Sequence, residues 1–168
     1  MSDLLYRVML NREPELVDEI HHQLMHSNAL HYKNMGDKLL LHRVESLVAH
    51  FIVSLRENQD HFINYVSEIA SERIHEGFRL AETLMSMRIL EERLWLITVE
   101  DMPMDGRVQA LARVTNTIGA AKDQLAEVYV ENAERKRVRP EDSQPDADVV
   151  PTTPRSRIKP SPDGYVGN

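Results

Sequence analysis

The chain has 168 residues, no cysteine and a formal charge of −7. That length allows one domain with a real core, and the missing thiols exclude disulfides, thiolate metal sites and a cysteine nucleophile. An acidic chain does not suit non-specific nucleic-acid binding, which needs a basic surface, and no apolar run approaches the roughly 20 residues of a membrane span.

The N-terminal "MSDLLYRVMLNREPEL" turns charged too early for a signal peptide, which fits a cytoplasmic protein. From Pro14 to His26, Leu16, Val17, Ile20 and Leu24 recur with helical period, and Pro14 suits a first helical turn. The polar stretch "HSNALHYKNMGD" reads as a connection, with Asp37 a candidate cap for a helix reaching about Glu57. Leu40, Val44, Leu47, Val48, Phe51 and Leu55 form its apolar stripe. "ENQD" is a turn, with Asp60 a second candidate cap. The following helix carries Phe62, Ile63, Val66, Ile69, Ala70 and Ile74, and Gly77 sits where a C-terminal cap is expected, with positive φ. A helix from about Arg79 to Val99 is apolar on more than one side (Leu80, Leu84, Met87, Leu90, Leu94 and Ile97, then Met85, Ile89 and Leu96), which places it centrally. "EDMPMDG" breaks it, and a last long helix runs from about Arg107 to Lys136.

Composition changes at residue 138. The segment 138–168 holds six of the eight prolines and too few large apolar residues to offset its ordering entropy, so it reads as a disordered tail or linker. It carries four Arg or Lys and five Asp or Glu, leaving −6 on residues 1–137. The basic "RKRVR" at 135–139 is a helix end with cations near the negative dipole pole.

Two Glu-x-x-His pairs, Glu19/His22 and Glu72/His75, have the spacing of di-metal bundle ligands, which must point into the core. Here Glu19, Gln23 and His26 lie opposite the Leu16/Ile20/Leu24 stripe, with His22 beside them, and Glu68, Ser71, Glu72 and His75 lie opposite the Val66/Ala70 stripe. Both pairs therefore read as solvated polar faces. Haem ligation needs a histidine alone on an apolar face, and His21, His22, His26, His42, His50, His61 and His75 all fall on or beside polar positions. No glycine-rich phosphate loop and no nucleophile motif or buried carboxylate pair is visible, so the chain reads as non-enzymatic, with no cofactor and no metal.

The pattern "YVSEIASERIHEGFRLAETLMSMRILEERLW", with a small Ala70, a basic Arg73, a glycine at a helix break and then a Leu-rich helix, follows "FIVSLRENQDHF". It resembles the N-terminal domain of RsbR-type proteins, the RsbT co-antagonists of bacterial stressosomes, over roughly residues 5–130. The resemblance implies an all-α, globin-like domain that does not bind haem, dimerises, and passes a signal along its last helix to an output domain. This chain departs from that layout after the last helix, where only the Pro-rich segment follows.

In the last helix Leu111, Val114, Ile118, Ala121, Leu125, Val128 and Asn132 are spaced 3,4,3,4,3,4, a heptad seam with Asn132 at an a-type position. The expectation is that its first half packs on the domain and its second half pairs with a second copy, with Ile118, Ala121, Leu125, Val128 and Asn132 proposed for the dimer interface. The resulting expectation is an all-α globin-like sensory domain over 1–137, a homodimer with a protein partner in stress signalling and with neither nucleic acid nor membrane as a partner, followed by the disordered tail 138–168. The alternatives are a helical adaptor that binds a partner through its acidic face and a metal- or haem-binding bundle.

Overall fold

The computed structural model describes residues 2–138; the expected tail, apart from Val138, lies outside the described residues. Those residues form seven α-helices and no strand, the all-α class expected: α1 (Ser2–Asn11), α2 (Glu13–His26), α3 (Leu30–Asn34), α4 (Asp37–Arg56), α5 (Gln59–His75), α6 (Leu80–Asp101) and α7 (Met104–Val138). Pro14 lies in the first turn of α2, as its missing N–H requires. Two caps differ from expectation. Asp37 is the first residue of α4 rather than its cap, and at α5 the Asn58 side chain, one turn before Phe62, accepts from the His61 N–H (3.2 Å) in place of Asp60.

Each stripe is buried in one continuous core. α4 contributes Leu40, Val44, Leu47, Val48, Phe51, Ile52 and Leu55, and α2 contributes Leu16, Ile20 and Leu24. α4 packs on α1, α2 and α5, while α6 packs on α1, α2 and α7; α7 closes the ring by lying against both α5 and α6. Two elements were not legible as helices. α1 buries Leu5 and Met9, one turn apart, and the supposed connection contains α3, which buries Tyr32 beside Ala29. α6 is less central than its sequence implies, because Trp95, Leu96 and Val99 are exposed.

The break before α7 is short. Only Met102 and Pro103 separate the helices, and Met102 is buried. The 35 residues of α7 span about 52 Å at 1.5 Å per residue. From Glu131 to Val138 every residue but the half-buried Asn132 is exposed, so the last turns leave the body of the domain.

Candidate functional site

The chain reverses between α5 and α6 through a glycine cap. Gly77 has φ of +85°, its N–H donates to the Ile74 carbonyl (3.2 Å), and the Phe78 N–H donates to the Arg73 carbonyl (2.9 Å). This pair of bonds is the Schellman arrangement, which needs a left-handed residue where glycine stands. It turns Phe78 back onto the end of α5. The Arg73 guanidinium lies 5.4 Å from the Phe78 ring centre, and His31 and Tyr32 pack on the same ring at 4.7 and 5.0 Å.

Arg73 is the unexpected residue. It follows Phe62, Val66 and Ala70 in helical phase on the core face of α5 and is 5% exposed. A long cation in the core needs partners, and it has them: Glu76 at 3.2 Å, the Tyr32 hydroxyl and the Phe78 ring. Glu76 also accepts from Arg43 of α4. Partial burial pushes the Glu76 carboxyl up, but the hydrogen bond and charge of Arg43, reinforced by Arg73, hold it below the usual carboxylate range.

Beside these groups lies a cavity of about 20 Å³, room for about one water molecule and not for a macrocycle. Leu24, Leu40, Val44, Leu47 and Ile69 form its apolar wall; Tyr32, Arg43, Tyr65, Arg73 and Ser86 form the polar one. Burial pushes the Tyr32 hydroxyl up, which keeps it a neutral donor.

A second buried charge, Glu82, sits on the α6 side, only 3% exposed. Its carboxylate accepts from the Arg79 N–H (3.1 Å), which starts α6, and meets Nδ1 of His31 at 2.8 Å. Burial alone would push this carboxyl up; the bonds from His31 and the two backbone N–H groups prevail and hold its pKa at about 2. The corner is tied to α7 by one side chain. The Tyr129 hydroxyl donates to the Phe78 carbonyl (3.2 Å) and lies 2.9 Å from the Thr83 hydroxyl.

The structure sorts the sequence-derived candidates differently from the seam reading. In the isolated chain Ile118, Ala121 and Leu125 are completely buried and Val128 is 9% exposed. α5 and α6 of the same chain cover them, so Leu125 and Val128 do not wait for a second copy. α5 and α6 both pack on α7, and Tyr129, next to Val128, reaches the Phe78 carbonyl and the Thr83 hydroxyl. Asn132, one turn on, is half-buried. Gly77 is the left-handed cap that its place in the sequence required.

Of the two Glu-x-x-His pairs, Glu72 and His75 are exposed, and Nδ1 of His75 bonds to the Ser71 carbonyl (2.7 Å). Glu19 is not on an open face: it pairs with Arg93 of α6 at 2.9 Å, while His22 is exposed and its ring packs at a tilt against that of His26. Among the described residues no group of three or more metal-ligating side chains could hold an ion. The site residues missed in sequence are His31, Tyr32, Arg73, Glu82 and Tyr129. The available signal was Arg73 in phase with Ala70 and Val66.

A second surface stands out. Trp95, Leu96 and Val99, all more than 40% exposed, line the outer side of α6 with Arg88 and Glu92 one to two turns before them. Trp95 Nε1 donates to the Thr115 hydroxyl of α7 (3.1 Å), which joins the two outer faces. Among the described residues Arg88 and Glu92 have no ion-pair partner within the chain. No helix among the described residues is long and apolar enough to cross a membrane.

Comparison with known proteins gives one match. Residues 14–144 match the family described as the RsbT co-antagonist protein rsbRD N-terminal domain. Neither a curated protein nor a solved structure matches the chain.

Proposed function

The chain belongs to the family of RsbT co-antagonist rsbRD N-terminal domains, regulatory domains of stress signalling, and from that premise we propose that it is a non-enzymatic cytoplasmic sensory domain that acts as a homodimer and relays a change through α7 to a signalling protein partner. The observation that carries the relay is Tyr129. It stands on α7 nine residues before the end of that helix, and its hydroxyl is held by Phe78 and Thr83 of the polar corner. A rearrangement of Phe78 or of the start of α6 therefore acts directly on the helix that leaves the domain, a shift between packed helices of the kind that switching proteins use.

We propose the outer α6–α7 face, instead of the buried seam, as the surface that meets the second copy. An isologous dimer brings the same patch together twice, so the Arg88 of one copy meets the Glu92 of the other around a centre of Trp95, Leu96 and Val99. Leu96→Glu/Val99→Glu is expected to give a folded monomer where the wild type is a dimer at about 10 μM, an affinity of about −7 kcal/mol or better; light scattering with circular dichroism reads both. A monomeric wild type overturns the dimer. The relay is tested separately by hydrogen exchange. Glu82→Gln, which alters the corner, should speed exchange of the α7 amides from Leu125 to Asn132, and unchanged protection there overturns it.

A further inference from the structure

Two histidines are bonded to each other where α4 meets α5. Nδ1 of His50, on α4, lies 3.0 Å from Nε2 of His61, in the first turn of α5. The other nitrogen of His61, Nδ1, lies 3.2 Å from the carboxylate of Glu57 in the turn between the helices. His50 is half-buried and stacks on Tyr65 of α5, with ring centres 3.9 Å apart and planes 8° apart. It cannot turn its nitrogen to water without losing that stack. The next residue on each helix, Phe51 and Phe62, meets the other edge to face at 5.5 Å, so the pair sits directly over a core contact.

A bond between two imidazoles needs one N–H and one lone pair. It forms while the facing nitrogens share one proton. When both are protonated, two N–H groups and two positive charges oppose each other across 3.0 Å. Glu57 favours a proton on His61. Glu68 of α5 favours one on His50, but burial and the charge of His61 outweigh it and push the His50 imidazole down. Burial pushes the Tyr65 hydroxyl up, which keeps that ring neutral. Charges on the neighbouring helices are engaged elsewhere. Arg56 lies over Tyr6 of α1, Glu13 and Asp18 of α2 line a groove that takes in Ser46 and Ala49 but not His50, and Arg113 of α7 donates to the Leu55 carbonyl.

We propose that the His50–His61 pair is a pH-sensitive latch between α4 and α5: one shared proton closes it, and a second proton opens it and loosens the first turns of α5. In the folded chain His50 holds its proton less tightly than an ordinary imidazole, whose value is about 6.5. The latch therefore stabilises fully above that value, and its contribution is lost as pH falls from there through the folded pKa. It operates whether or not the domain dimerises.

Hydrogen exchange on the whole chain, with the intrinsic pH dependence removed, tests the latch. The amides of Phe62 to Val66 should exchange about tenfold faster at about pH 5.5 than at about pH 7.5, a window that spans the imidazole value, while those of α6 and α7 keep their protection. His50→Phe preserves a ring on Tyr65 without a titrating nitrogen and should abolish the acceleration. His61→Gln, whose amide either donates or accepts, should abolish it too. Equal protection of the wild type at both pH values overturns the latch, and so does a His50→Phe chain that responds to acid as the wild type does. Acceleration spread evenly over α5, α6 and α7 is unfolding of the whole domain and overturns it as well. NMR titration of the wild type needs no substitution: the two imidazoles should titrate in separate steps, the lower one below about 6.5. Coincident titration of both at the ordinary value refutes the coupling.

Discussion

The seam of α7 and the corner between α5 and α6 lie against one another, and they are buried for opposite reasons. The seam is a run of apolar side chains, Val114, Ile118, Ala121, Leu125 and Val128, that needs only area removed from water. The corner holds Arg73, Glu82, Thr83 and Ser86 under 6% exposure, and each of these must find a specific partner. An apolar stripe is indifferent to what covers it, so its pattern tells which face is buried and not by which chain. A polar group is particular about its partners, so its burial cannot be read from spacing at all, but once seen it identifies the place where the fold has been made sensitive to chemistry.

The largest expected effect breaks the seam. Leu125→Asp/Val128→Asp removes two buried apolar side chains worth roughly 1.5–3 kcal/mol each and puts two charges in their place. The total exceeds about 5 kcal/mol, the lower end of a domain's whole stability. Circular dichroism should show loss of helicity. A folded, helical monomer would mean that a second copy covers these residues after all.

The corner should respond less and more selectively. Gly77→Val places a β-branched residue at positive φ and should cost on the order of 1–3 kcal/mol, read as a lower urea midpoint with unchanged slope. A side chain there meets only His31 Nε2, at 3.7 Å, so the penalty is backbone strain and not a clash. A midpoint equal to the wild type's would show that the cap bears no strain.

A smaller effect depends on pH. The folded Glu82 carboxyl, at about 2, lies below the ordinary value of about 4.3. It therefore contributes stability above the ordinary value, and that contribution is lost as pH falls from there through the folded pKa. Glu82→Gln should be less stable than the wild type at neutral pH, with the gap closing between about pH 4.5 and 2. Melts across that range decide it, and a constant gap would place the stabilisation elsewhere.

The smallest effect marks the boundary of the corner. Glu72→Ala/His75→Ala should move stability by less than about 0.5 kcal/mol, as exposed substitutions do, although Glu72 neighbours Arg73 in sequence. Its carboxylate lies 3.9 Å from that guanidinium and is 67% exposed, so solvent screens the pair. A loss above about 1 kcal/mol would make Glu72 a working partner of Arg73 and extend the corner to the surface of α5.

The sequence by itself determined the helical class, the faces of α2, α4, α5 and α7, and the glycine cap at residue 77. Each of these depends on local chemistry: a 3.6-residue period, a proline at a helix start, a position that only glycine occupies without strain. Tertiary structure decided the rest. Tyr32 looked like part of a polar connection because its partners, Arg73 and Ser86, lie far along the chain on other helices. Glu82 did not stand out in the sequence, because nothing nearby shows that His31, 51 residues away, meets it. Leu125 and Val128 had a correct period and an undetermined neighbour. Periodicity records which side of a helix avoids water, whereas the partner that excludes the water is fixed only when the other helices are in place.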